Sequence, residues 1–171
     1  MIDQRAKDGL MAHIEALTEK NKLVAQASLD VELQGYFVAP TVFEIDSIQT
    51  LTKEHFGPIL HIVRYQRDDL LKCIDEVNQT GFGLTMGVHT RNDHVIDLIE
   101  KHAHVGNYYV NRNQVGAVVG LQPFGGHGLS GTGPKAGGPL YLSRFMNERS
   151  TSINTAAIGG DAALIGLSAK L

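Results

Sequence analysis

Between Pro58 and Asn111 the sequence switches twice from a β-forming run to a helical one and back again. "PILHIVRYQ" reads as a strand. "RDDLLKCIDEVNQT" follows it as a helix, with Leu70, Cys73, Ile74 and Val77 on one face and Asp68 or Asp69 placed to cap it. "GLTMGVHT" is a second, short strand. "NDHVIDLIEKHA" is a second helix, opened by Asn92 or Asp93, with Val95, Ile96 and Ile99 inward. "GNYYVN" is a third strand. Strand–helix crossovers between parallel strands are right-handed, so this order predicts an α/β chain with a mainly parallel sheet flanked by helices. Loops beyond the strand ends of such sheets are where ligands bind.

The flanks are less regular. Leu10, Ile14 and Leu17 recur at helical spacing, which predicts a helix over 3–20 with Lys and Glu outside. "YFVAPTVFEI" is strand-like but interrupted at Pro40, which predicts an edge or irregular strand. "PLYLSRFM" suits a short helix and "STSINT" a last exposed strand. There is no internal repeat and no interdomain linker, and 171 residues suffice for one real core. A net charge of -3 without a basic cluster argues against binding of nucleic acid by this segment. One cysteine permits no intrachain disulfide and suits a reducing, cytoplasmic setting. No apolar run approaches the about 18 to 20 residues of a membrane span, and the N-terminus lacks a signal-peptide core.

"PFGGHGLSGTGPKAGGP", Pro123 to Pro139, packs seven glycines and three prolines into seventeen residues with almost no charge. It predicts neither helix nor regular strand, and its bare backbone suits close approach to a ligand. Gly126, Gly128 and Gly131 match the spacing of a dinucleotide-binding loop, but no helix opens within the motif, so the match is fortuitous. Cys73 sits on an apolar helix face, where packing is expected rather than nucleophilic chemistry. The eight histidines show no metal-ligand spacing, and "HAH" at 102–104 belongs to a helix end. Ser130 has no neighbouring base. In "KEHFGPIL", Glu54 reads either as a surface residue or as a carboxylate accepting two hydrogen bonds from ribose hydroxyls, with Phe56 packing beside a nicotinamide.

Three segments taken together narrow the choice. "KEHFGPIL", "GFGLTMGVHT" and "QPFGGHGLSG" occur in the order and approximate spacing of the C-terminal half of the aldehyde dehydrogenase superfamily, which this chain resembles. "NRNQVGAVVGLQPFGGHGLSGTGPKAGGPLYLSRF" resembles the 1-pyrroline-5-carboxylate (glutamate semialdehyde) dehydrogenases. "TSINTAAIGGDAAL" is similar to the end of that module in bifunctional proline-utilization flavoproteins. The resemblance implies that 1–147 is part of a catalytic domain and 148–171 an oligomerisation strand and tail, so that a homo-oligomer is expected. It implies that the catalytic cysteine, the general-base glutamate and the NAD-binding Rossmann domain lie upstream, and that this chain is a fragment inactive alone.

Site residues follow from the same resemblance. Glu54 matches the glutamate that holds the nicotinamide ribose of NAD, and Phe56 the aromatic beside it. Phe124 matches a substrate-tunnel aromatic. Gly137 and Gly138 match a loop whose backbone N–H groups hold the substrate's α-carboxylate, and Phe145 an aromatic near the aldehyde chain. Lys135 and Arg144 read as structural or surface groups. FAD belongs, if anywhere, to a proline dehydrogenase domain outside this chain. The implied chemistry is covalent: a thiolate attacks the aldehyde, hydride passes to NAD, and water releases glutamate from the thioester. A dehydrogenase for another acidic semialdehyde and a non-catalytic assembly or binding module are the rival readings.

Overall fold

A computed structural model describes residues 1–30, 32 and 34–154. The chain divides into two compact units, Met1–Tyr141 and Leu142–Leu171. The first opens with helix α1, Gln4–Lys20, capped by Asp3, whose carboxylate accepts from the Ala6 N–H at 2.7 Å. The three apolar positions anticipated in this helix, Leu10, Ile14 and Leu17, are its buried residues. They meet Val38, Phe43 and Ile45, and Phe43 is fully enclosed. This is one of two apolar clusters among the described residues of the unit.

Strand β1, Lys22–Gln26, was not anticipated: all five of its residues are exposed, so no buried alternation marks it. It pairs antiparallel with β2, Thr41–Glu44, which in turn runs parallel to β3, Ile59–Ile62. The sheet order β1-β2-β3 makes β2 the central strand, contrary to the edge or irregular strand expected from Pro40. Pro40 lies just ahead of β2, and its carbonyl accepts from Ala27 N–H, so its missing donor removes no ladder bond.

Helix α2, Leu70–Gln79, is preceded by a 3-10 turn at Arg67–Asp69. Asp69 occupies the capping position, yet its side chain makes no capping hydrogen bond. After the two-residue strand β4, Phe82–Gly83, come β5, Thr85–Val88, helix α3, Asp93–His102, and β6, Asn107–Val110. Asn92 caps α3 by accepting from His94 N–H. Strands β5 and β6 pair parallel, from Thr85 opposite Asn107 to Val88 opposite Val110, as the second crossover requires. Ile74 of α2, Ile99 of α3 and Val88 form the second apolar cluster.

The first crossover, from β3 through α2 to β5, does not end beside its starting strand. β3 is hydrogen-bonded to β2 and β5 to β6, so the sheet expected as one is divided. An open cleft of about 450 Å³ is lined by Ile59 and His61 of β3 and by Thr85 and Met86 of β5. The carbonyls of Pro58 and Ile62 accept from β2 and its following residue, and those of Leu84 and Val88 accept from Asn107 and Asn111. By alternation, the peptide groups of Ile59, His61, Thr85 and Gly87 point away from those partners. The architecture is α/β, with paired parallel strands and flanking helices.

Beyond β6 the Gly-rich segment is irregular apart from β7, His127–Gly128, which pairs antiparallel with β4. A 3-10 turn at Tyr141–Phe145 stands where a short helix was expected. Residues 150–154 of the expected exposed strand are exposed and carry no strand, and its proposed continuation from 155 lies outside the described residues.

Candidate functional site

The Gly-rich loop is bolted to the start of β6. Asn107, 7% exposed, donates through Nδ2 to the Pro123 carbonyl at 3.0 Å and accepts through Oδ1 from Gly125 N–H at 3.2 Å. The Lys135 ammonium donates to the Gly106 carbonyl, and Ser130 Oγ accepts from Gly83 N–H at 3.0 Å. Several glycines are there for these internal approaches. A Cβ on Gly106 would collide with the Gly125 carbonyl, and one on Gly131 with the Gly126 carbonyl. Much of the bare backbone expected to face a ligand therefore faces other backbone. The Gly126, Gly128, Gly131 spacing leads into no helix, in keeping with a fortuitous match.

Phe124 and Ala136 exchange two backbone hydrogen bonds of 3.0 Å, which draw the two arms of the loop together. Gly137 has φ +72, a left-handed conformation that suits glycine, in a turn closed by Gly138 N–H donating to the Lys135 carbonyl at 3.0 Å. Phe124 and Gly137 line one largely apolar cavity of about 390 Å³, with Gly116, Val119 and Gln122. Gly138 is not among its lining residues, and its N–H is engaged within the turn. Phe145 belongs to the second unit and is 74% exposed.

Glu54 and Phe56 are brought together elsewhere. Both are exposed and line a cleft of about 250 Å³ with Lys53, His55 and, from α1, Arg5, Ala6, Gly9 and Leu10. Their segment is held by a feature that sequence reasoning missed. His55 stacks on His13 of α1 with ring centroids 3.4 Å apart and planes 11° from parallel. His13 Nε2 lies 3.0 Å from His61 Nε2 on β3. Burial, then the neighbouring His55, His61 and Lys53, pushes His13 down to about 4. Burial foremost also lowers His55 and His61. Nothing in the sequence signals this trio, because its members come from three separate elements.

Cys73 is half-buried on α2, in a small cavity with Asp46, Arg64, Tyr65 and Glu76. Burial, reinforced by Glu76, pushes its thiol up, the opposite of what a nucleophile needs. Among the described residues no group of His, Cys, Asp and Glu is arranged to hold a metal ion, and no helix is long and apolar enough to cross a membrane.

The aldehyde dehydrogenase family model matches residues 1–151, and the chain belongs to that family. It is 54% identical over 155 residues to the bifunctional protein PutA of Klebsiella aerogenes, covering 87% of this chain and 12% of that protein. A crystal structure of a Bradyrhizobium japonicum Proline Utilization A (PutA) mutant superposes with a TM-score of 0.83 at 52% identity, covering 92% of this chain and 16% of that one. A 1-pyrroline-5-carboxylate dehydrogenase from Thermus with bound NAD gives a TM-score of 0.74 at 36% identity, over 85% of this chain and 28% of that one. The resemblance read from three short segments is thus borne out at the level of family and fold. The chain spans a minor part of each of these relatives.

Proposed function

We propose that this chain is the C-terminal part of the catalytic domain of an NAD-dependent 1-pyrroline-5-carboxylate dehydrogenase, which oxidises glutamate semialdehyde to glutamate. The observation that carries the reading is the loop cavity that joins Phe124 to the left-handed turn at Gly137. An apolar wall beside the exposed main chain of Gly137 suits an aliphatic semialdehyde that ends in a carboxylate, because backbone N–H groups hold an anion without a lysine. The names of its PutA and 1-pyrroline-5-carboxylate dehydrogenase relatives support the same substrate. In this reading Gly137, which lines the cavity, supplies the first N–H. Gly138 joins only if its bond to the Lys135 carbonyl opens.

The Glu54–Phe56 segment fits one end of a dinucleotide. An ionised carboxylate only accepts, which suits paired sugar hydroxyls, and the exposed Phe56 ring offers an apolar face beside it. NAD supplies the hydride acceptor when bound, and these side chains position it. The nucleophilic cysteine and general base come from the remainder of the catalytic domain. That remainder is also the partner whose strands complete the sheet along the outward edges of β3 and β5. The 148–171 segment serves homo-oligomer assembly in the same reading.

The test uses the assembled parent enzyme. Gly138→Val crowds the Lys135 carbonyl and Pro123 within the turn. Loss of the carboxylate's hydrogen bonds costs about 1.5 to 3 kcal/mol, roughly ten- to a hundredfold in kcat/KM. The loss is expected with glutamate semialdehyde and not with propanal, which has no carboxylate. Glu54→Gln is expected to weaken use of NAD with both aldehydes. Equal losses for both aldehydes in Gly138→Val would reduce the loop to a structural role. The 171-residue chain alone is expected to form no NADH from glutamate semialdehyde.

A further inference from the structure

The Glu54–Phe56 segment has little of its own structure to hold it. It carries neither helix nor strand, and both named side chains are exposed. Two contacts fix its path. At its end Gly57 lies against α1, where a Cβ would collide with the Leu10 side chain. One residue after Glu54, His55 stacks face to face on His13. His13 in turn is tied to β3 through the 3.0 Å approach of its Nε2 to that of His61. Three imidazoles from the helix, the segment and the strand therefore form one continuous connection, with His13 at its centre.

This connection depends on proton count. An Nε2···Nε2 hydrogen bond needs one nitrogen to donate and the other to accept, so only one of the two carries a proton there. If both rings are imidazolium, two N–H groups point at each other. The stacked His13–His55 pair behaves alike: two neutral rings attract, whereas two cations 3.4 Å apart repel. The surroundings give little relief. Lys53 from the segment and Arg5 from α1 add positive charge, and among the described residues Glu54 is the one carboxylate lining these clefts. A shared metal ion is not an alternative, because parallel stacked rings direct their lone pairs side by side and not toward a common point.

We propose that His13, His55 and His61 form a proton-operated latch that positions the Glu54–Phe56 segment, holding it against α1 and β3 while the rings are neutral and releasing it when a second ring is protonated. His55 acts through the segment it anchors and is a positioning residue. The lowering of all three rings, His13 to about 4, agrees with a closed latch at neutral pH. The consequence for cofactor use rests on the proposed role of Glu54 and Phe56; the latch itself does not.

Hydrogen exchange of the 171-residue chain tests the latch without any cofactor. Protection factors for the Ile59 amide, which donates to the Gly57 carbonyl at 2.9 Å where the segment enters β3, are measured from pH 7 to pH 5, with amides of the Ile74–Ile99 cluster as the internal reference. This amide is expected to lose roughly tenfold in protection, because a ring that gains proton affinity on opening shifts the opening equilibrium by about that factor. His55→Phe keeps a stacking ring that cannot take a proton, and it is expected to flatten the pH dependence while retaining protection at pH 7. His61→Gln, neutral and still able to hydrogen-bond, is expected to halve the dependence or better, and it decides the matter if His55→Phe does not fold. In the assembled parent, the KM for NAD is expected to rise on acidification in the wild type and less so in His55→Phe, with kcat nearly unchanged. A cofactor effect that is missing while the exchange result holds would sink the role of Glu54 and leave the latch. Protection at the Ile59 amide that does not change with pH, or that changes equally in both variants, would overturn it.

Discussion

Asn107 is the residue on which the Gly-rich loop should depend most. Its two hydrogen bonds, 3.0 Å to the Pro123 carbonyl and 3.2 Å from Gly125 N–H, straddle Phe124. Asn107→Leu keeps the side-chain volume, so little cavity is created, but both loop groups lose their partner. Each lost bond is worth about 1 kcal/mol net, with a further cost for each backbone group left without water. A total of about 2 to 3 kcal/mol follows, or a fall in Tm of roughly 5 to 10 °C for a chain of this size. Asn107→Asp separates the two bonds. Its carboxylate still accepts from Gly125 N–H but repels the Pro123 carbonyl when ionised. Protonated, it donates to that carbonyl as the amide did. The Asp variant should therefore be nearer to wild type at pH 4 than at pH 7, each judged against the wild type at the same pH. Urea unfolding gives the stabilities, and hydrogen exchange at Gly125 reports the loop. A Leu variant within about 0.5 kcal/mol of wild type, with Gly125 still protected, would show that the Lys135 and Ser130 contacts hold the loop and that the reasoning about Asn107 is wrong.

Two further outcomes are expected. His13 is lowered from the ordinary 6.5 to about 4, so the unfolded chain binds a proton that the folded chain refuses between those values. Stability should be complete above about pH 6.5 and fall as the pH drops toward 4; the linkage ceiling of about 3 kcal/mol shrinks to about 1 for a half-buried ring. Urea midpoints of His13→Gln should show a correspondingly shallower acid slope, and an unchanged slope would assign it to other groups. Cys73, with its thiol pushed up by burial and Glu76, should react with a disulfide reagent at pH 7.5 more slowly than a free thiol. Equal rates would mean that the pocket around it opens freely.

Local pattern determined a good deal of this protein. The 3.6-residue spacing of Leu10, Ile14 and Leu17 and the runs of α2 and α3 placed helices α1, α2 and α3, because one buried face per helix leaves a periodic mark. The second crossover was legible because β5, α3 and β6 are consecutive and pair directly. Three short motifs were enough for the family, since they fix backbone paths that few other sequences share. Tertiary structure decided the rest. β1 escaped notice because an exposed strand has no inward face to pattern. Pro40 gave no sign that β2 is central, since a proline ahead of the first ladder residue costs nothing. The division between β3 and β5 depends on which strands meet, and periodicity carries no information on that. The glycines show the same limit: their number predicted close approach, but only the fold revealed that Gly106 and Gly131 approach other backbone. His13, His55 and His61 are up to 48 positions apart and share no spacing rule. Only packing, which joins groups distant in the chain at contact range, made them one cluster.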